Sequence, residues 1–223
     1  MRTKFIVVRH GEAEGNILRI FHGHHDSFLT DDGHIQAEKA AQYLKDYEID
    51  HIYSSDLTRT YSTAEHIAKI KNLKIKKIPG LREIFGGSWE NVAWAKLPDL
   101  YPDIYNFWEN DISKAALPKG ESVFQMFLRV KSTFEELAKK HSGETVCVVT
   151  HGTVIRAMLC LWRGLPISKM QTVPWFDNAS ITIIDYIDNN NYELVSEGIN
   201  SHLKGISTFE KQDWWQRYDD IQK

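Results

Sequence analysis

Two histidines of this 223-residue chain occupy the same kind of position, His10 in FIVVRHG and His151 in VCVVTHG. Each closes an apolar, β-branched run of the kind that forms a buried strand, and each is followed by a glycine that lets backbone approach a ligand. Open α/β sheets bind ligands beyond the carboxyl ends of their strands, so if these two strands are neighbours the imidazoles converge. Arg9 and Arg59 follow the first and second strand-like runs. Two guanidinium forks meeting at one sheet edge suit the oxygens of a phosphoryl group. The set is built to hold a dianion. A neutral imidazole is a competent nucleophile near pH 7, and a carbonyl accepting its other N–H would fix the tautomer. Preorganised cations would stabilise the transferring charge without a metal ion.

The wider pattern around these residues is specific. VVRHGEAEGN, FLTDDGHIQA, SSDLTRTYSTAEHIA, LREIFGGSWEN and VVTHGTVIRAML occur in that order, with NSHL as a weaker match near the end. In order and spacing they resemble the motifs of the histidine phosphatase (phosphoglycerate mutase-like) superfamily over most of the chain up to about residue 160. The resemblance implies that His10 attacks phosphorus, that Arg9, Asn16, Arg59 and His151 hold the phosphoryl oxygens, and that Glu83 handles the proton. His22, Gly23 and Gly152 would complete the substrate contacts. The implied activity is metal-independent hydrolysis of a small phosphate ester through a phosphohistidine, with no cofactor. A cofactor-dependent phosphoglycerate mutase and an inactive phosphate-ester binding module are the alternatives.

Three positions depart from the family pattern. Ala13 stands where Ser or Thr is common, Gly15 where Trp often precedes the Asn, and His22 where phosphatases often have Gln and mutases Thr. His22, His24 and Asp26 also reproduce the start of an H-x-H-x-D-H metal motif, but Ser27 replaces its last histidine. No further His and carboxylate at strand ends complete a dinuclear site, so His24 and His25 are expected to be exposed loop histidines.

The segment Ile84 to Lys119 bears on hydrolase versus mutase. It has no arginine, and three lysines (Lys96, Lys114, Lys119) against five acids (Glu90, Asp99, Asp103, Glu109, Asp111) give it a formal charge of −2. The family's mutases place cations there, and a negative segment repels a second phosphate. It also carries Phe85, Trp89, Trp94, Tyr101, Tyr105, Phe107 and Trp108. Those facing the cleft would favour an apolar or aromatic leaving group, and the rest are structural.

These residues need a scaffold, and the apolar periods supply one. Strands are expected at Phe5 to Val8, in HIYSS, around Lys74 to Ile78 and from Thr145 to Thr150, with a hairpin of SITIIDY and NYELVSE joined by DNNN. Helices should run from near Thr30 to about Tyr47, from Arg59 through Ala68, along Val123, Phe127, Val130, Phe134 and Leu137, and from about Thr153 to Trp162. The fold class is therefore α/β: a three-layer sandwich with a largely parallel sheet, an antiparallel edge, helices on both faces, and Ile84–Lys119 as an aperiodic lid insertion. Residues 1–223 are expected to form a single domain.

Composition narrows the partners. There are 27 basic and 30 acidic residues, a net charge of −3, without the basic block that tracks a nucleic-acid backbone. The apolar run before Arg9 is far short of the about 20 residues of a membrane span, so no membrane is expected and the chain should stay in the cytoplasm. Cys147 and Cys160 lie in apolar runs and read as reduced core thiols. Trp214, Trp215 and Tyr218 mark an amphipathic tail that docks on the domain or forms a homodimer surface.

Overall fold

The computed structural model describes residues 2–188 and 191–211. Strands β1 (Thr3–Arg9), β2 (His51–Ser54), β3 (Ile75–Lys77), β4 (Thr145–Thr150), β5 (Ile181–Asp188) and β6 (Asn191–Ile199) form one sheet in the order β3-β2-β4-β1-β5-β6. The first four are parallel, while β5 runs antiparallel to β1 and β6 antiparallel to β5. The α-helices described are α1 (Glu14–Leu18), α2 (Asp31–Tyr43), α3 (Thr58–Lys71), α4 (Leu97–Leu100), α5 (Pro102–Asn110), α6 (Val123–Lys140), α7 (Gly152–Trp162) and α8 (Thr208–Lys211).

The two-residue period of the strands builds the layers. Phe5 and Val7 of β1, with Val146 and Val148 of β4, face one side and pack with Met126, Val130 and Phe134 of α6 and Val154 and Met158 of α7. Ile6, Val8, Cys147 and Val149 face the other side, against Ala40 and Ala41 of α2, Leu44 at its C-cap, and Ala64 and Ile67 of α3. The sheet between two helical layers is the expected sandwich. Both cysteines are free and buried, and burial pushes the Cys147 thiol up to about 12.

Helix starts follow their capping residues. Thr30 accepts the Gly33 N–H ahead of Asp31 and Asp32 in α2, and Ser122 and Gln125 form a reciprocal capping box at α6.

The segment Ile84–Lys119 differs from the expected aperiodic lid. It contains α4 and α5, each with proline in its first turn, where the missing N–H costs nothing. Trp89, Leu97, Ile112, Ala115 and Leu117 are buried in the core shared with β1 and α6. Part of this segment is thus an anchor and part a wall of the cleft described below. The aromatic tail Trp214, Trp215 and Tyr218 lies outside the described residues. Among the described residues, no helix is long and apolar enough to cross a membrane.

Candidate active site

The β1–β4 register opposes Arg9 to Thr150, so the next residues, His10 and His151, emerge side by side with ring centroids 5.4 Å apart, edge to face. The His10 backbone is fixed on both sides. Its N–H donates to the Thr150 carbonyl (3.0 Å), and its carbonyl accepts from the Ala179 N–H and from Asn178 Nδ2, each at 3.1 Å. The imidazole Nδ1 lies 2.7 Å from the Gly11 carbonyl. Nδ1 is therefore the protonated nitrogen, and the Nε2 lone pair is the one left to react. His151 Nε2 is 3.0 Å from Ser55 Oγ at the end of β2, while its buried Nδ1 has no partner.

Two guanidiniums are buried beside these rings. Arg59, in the first turn of α3, donates to the carbonyls of Gly23 (2.8 Å) and His25 (3.0 Å), and its Nε is buried without a partner. Gly23 has a φ of 52°, the left-handed conformation that turns its carbonyl toward Arg59. Arg9 donates to the Phe176 carbonyl. Burial brings both arginines down to about 10, which leaves them charged at neutral pH. His10 and His151 lie well below their ordinary 6.5, first because burial penalises the charged ring and then because Arg59 repels it. The site thus holds two buried cations beside two neutral imidazoles, which makes it a receptor for an anion.

Arg9, His10, Asn16, His22, Gly23, Arg59, Glu83 and Gly152 line a single cleft of about 420 Å³; His151 sits just beneath it against His10. The Asn16 amide oxygen accepts the Ala13 N–H (2.9 Å), which leaves its NH₂ to donate. Glu83 is held at both ends. Its carboxylate accepts the N–H groups of Ile84 (2.9 Å) and Thr153 (3.1 Å), and its carbonyl accepts from His24 Nε2 (2.8 Å) and Arg129 (3.1 Å).

That contact corrects the expectation for His24, which is a half-buried brace rather than an exposed loop residue. His25 is exposed as expected. The partial metal motif disperses: His22 lies in the cleft, His24 on the Glu83 carbonyl, and Asp26 on the backbone and hydroxyl of Thr58 at the start of α3.

Two of the departures prove to be one. A Cβ built on Gly15 would lie 1.5 Å from His22 Nε2, so the His22 ring fills the space a side chain at position 15 would take. Burial, then Arg59 and Arg9, hold His22 down at about 3. It is a neutral ring at working pH, with a buried Nε2 that has no partner.

The upper walls are apolar and aromatic: Ile20, Phe21, Trp94, Tyr105, Trp108 and Trp175, joined by one charge of each sign, Arg19 and Glu109. Sequence reasoning missed Ser55, Arg129, Trp175 and Asn178. The last had a signal, since the polar Asp177-Asn178 pair lies two residues ahead of the apolar run of β5. Asp177 ties that turn to the chain's later segment by accepting from Ser207 Oγ and the Thr208 N–H.

Comparison with known proteins agrees with this geometry. The description "Histidine phosphatase superfamily (branch 1)" matches residues 5–198. Phosphoserine phosphatase 1 of Hydrogenobacter thermophilus is 36% identical over 201 residues, covering 90% of this chain and 94% of its own. Phosphoglycerate mutase-like protein 4 of Arabidopsis thaliana is 32% identical, covering 91% and 87%. The solved structure of Bacillus stearothermophilus YhfR superposes with a TM-score of 0.86 at 28% identity, covering 90% of this chain and 99% of that one. With its motifs, its sheet order and its paired histidines all of one kind, this chain belongs to the histidine phosphatase superfamily and is a phosphatase of the phosphoglycerate mutase-like family.

Proposed function

We propose that the protein hydrolyses phosphomonoesters through a phosphohistidine on His10 and prefers leaving groups with an apolar or aromatic body. The observation that carries this is the 2.7 Å contact of His10 Nδ1 with the Gly11 carbonyl, which frees Nε2 between two buried guanidiniums. In the first step Nε2 forms the P–N bond as the P–O bond to the leaving group breaks, and Glu83 protonates the departing oxygen. In the second, water attacks phosphorus, Glu83 takes its proton, and the P–N bond breaks to release orthophosphate. Arg9, Arg59, Asn16 and His151 hold the oxygens throughout.

Hydrolysis is favoured over mutase chemistry by what the insertion contributes to the cleft: Trp94, Tyr105, Trp108 and Glu109, with no cation. A second reading takes phosphoserine as substrate, the compound after which the Hydrogenobacter relative is named, in a cleft whose wall carries one charge of each sign. The deciding assay measures p-nitrophenyl phosphate, phosphoserine and 3-phosphoglycerate with chelator present. Aryl phosphate hydrolysis that survives chelation is expected. Mutase turnover above hydrolysis, with bisphosphoglycerate supplied, would overturn the main reading, and phosphoserine leading the panel by tenfold or more would favour the second.

The Gly15–His22 contact gives a separate prediction. Gly15→Ala must displace the His22 ring, and a misplaced phosphate contact is expected to lower kcat/KM by about 10- to 100-fold. In a His22→Ala background the same change should cost little, because the clash is gone. Equal losses in the two backgrounds would show that position 15 acts on something other than His22.

A further inference from the structure

At the opposite end of the strands from the cleft, His51 opens β2 and His141 caps the C-terminus of α6, with Glu144 three residues on in the loop to β4. One oxygen of Glu144 lies 2.7 Å from His141 Nδ1 and 3.0 Å from His51 Nε2. The three donor atoms fall within 4.8 Å of one another, and this is the one such group of three His, Cys, Asp or Glu residues among the described residues. We propose that His51, His141 and Glu144 form a site for a divalent transition-metal ion of the zinc class, separate from the phosphatase chemistry.

Two imidazoles and a carboxylate are the donor types such ions take, with the remaining position left to water. A tetrahedral ion about 2.1 Å from each donor needs them about 3.4 Å apart. To reach that spacing the Glu144 oxygen draws back by about 0.7 Å from His141 Nδ1 and about 0.4 Å from His51 Nε2. Glu144 and His51, with side chains 44% and 28% exposed, have room to do so, and the exposed side admits water.

The surroundings are rigid where a metal site needs rigidity. The Glu144 N–H donates to the His141 carbonyl (3.0 Å), closing a tight turn. Thr3 Oγ1 donates to that same carbonyl (3.0 Å), the Gly143 N–H to the Arg2 carbonyl (3.1 Å), and the Lys4 N–H to the Glu144 carbonyl (3.0 Å). His141 is buried, and its other nitrogen, Nε2, is 2.9 Å from the Tyr53 hydroxyl. An outer hydrogen bond of this kind orients a ligating imidazole and sets its tautomer, with Nε2–H donating to Tyr53 and the Nδ1 lone pair toward the ion. The bound ion would staple the end of α6 to β2 and β4, about 13 Å along β2 from Ser55 and the cleft.

The test is calorimetric titration of chelator-stripped full-length protein with Zn²⁺, paired with thermal unfolding. Wild type should bind one equivalent and unfold at higher temperature with zinc. His51→Ala and Glu144→Gln should each bind at least tenfold more weakly and lose the zinc-dependent rise, while p-nitrophenyl phosphate turnover stays within about twofold of wild type. Because the shift on adding zinc is read within each variant, a lower starting stability does not confuse the result. If wild type binds no zinc, the cluster is a hydrogen-bonded triad and the proposal is overturned. It is equally overturned if both variants bind as wild type does, or if zinc inhibits turnover alike in all three, since the ion then sits on the histidines of the cleft.

Discussion

His10→Ala is expected to lower phosphatase turnover by at least about 10⁴-fold and to abolish acid-labile phosphate labelling of the protein. The size follows from the geometry. Removing the ring removes the atom proposed to form the P–N bond, and neither other imidazole of the site offers its Nε2 to a substrate. His151 has its Nε2 on Ser55, and the His22 ring is packed on Gly15. The remaining cations still bind the substrate, so KM should change far less than kcat, and dead variant and wild type should bind vanadate or phosphate comparably. Mass spectrometry of substrate-treated protein is the direct check, and a label persisting in the variant would end the phosphohistidine proposal.

The pH dependence adds a sign. Attack requires the neutral ring, and protonation removes it; burial and the two guanidiniums hold His10 well below 6.5. The acid limb due to the nucleophile therefore moves to lower pH. A histidine at its ordinary value would lose about tenfold in reactive fraction at pH 5.5. Here kcat/KM for an aryl phosphate is expected to fall by less than about threefold between pH 7 and 5.5.

Parts of this arrangement could be read from residue order alone, and others could not, for identifiable reasons. The strand Thr145–Thr150 matched to the residue, because an apolar, mostly β-branched run is bounded sharply by Glu144 and His151. The convergence of His10 and His151 likewise followed from two runs ending in the same way. The helix α5 was missed because Pro98 and Pro102 sit in successive first turns, breaking a pattern in which Tyr101, Tyr105 and Trp108 nonetheless repeat at helical spacing. His24 reads as a loop residue until the chain near Glu83 is folded against it, since nothing in the sequence pairs positions 59 residues apart. Gly15 and His22 each departed from the family, and only their contact shows that the small residue makes room for the large one. The trade is one of volume across a loop, and volume complementarity between distant residues leaves no period to detect.

Glu83→Gln is expected to lower kcat by about 10² to 10⁴-fold for an alkyl phosphate, with a smaller loss for p-nitrophenyl phosphate. The carboxylate is already positioned: one oxygen on the Ile84 N–H, the other on the Thr153 N–H at the start of α7, and the carbonyl behind it clamped by His24 and Arg129. Glutamine keeps the size and can accept one of these two N–H bonds through its amide oxygen; losing the other costs about 1–3 kcal/mol, which the fold should survive. What it cannot do is give a proton to the leaving oxygen or take one from the incoming water. An alkoxide leaving group needs that proton in the first step, whereas nitrophenolate leaves without it and is limited only by the second. The ratio of the two losses therefore isolates the acid step from general damage to the site. Loss of the clamp should act differently, since Arg129→Lys leaves the carboxylate chemically intact but less well aimed. It is expected to lower both substrates alike, by about tenfold. If Glu83→Gln also lowers kcat/KM, which reports the first step, equally for both substrates, Glu83 is not the acid of that step and the proton must come from elsewhere.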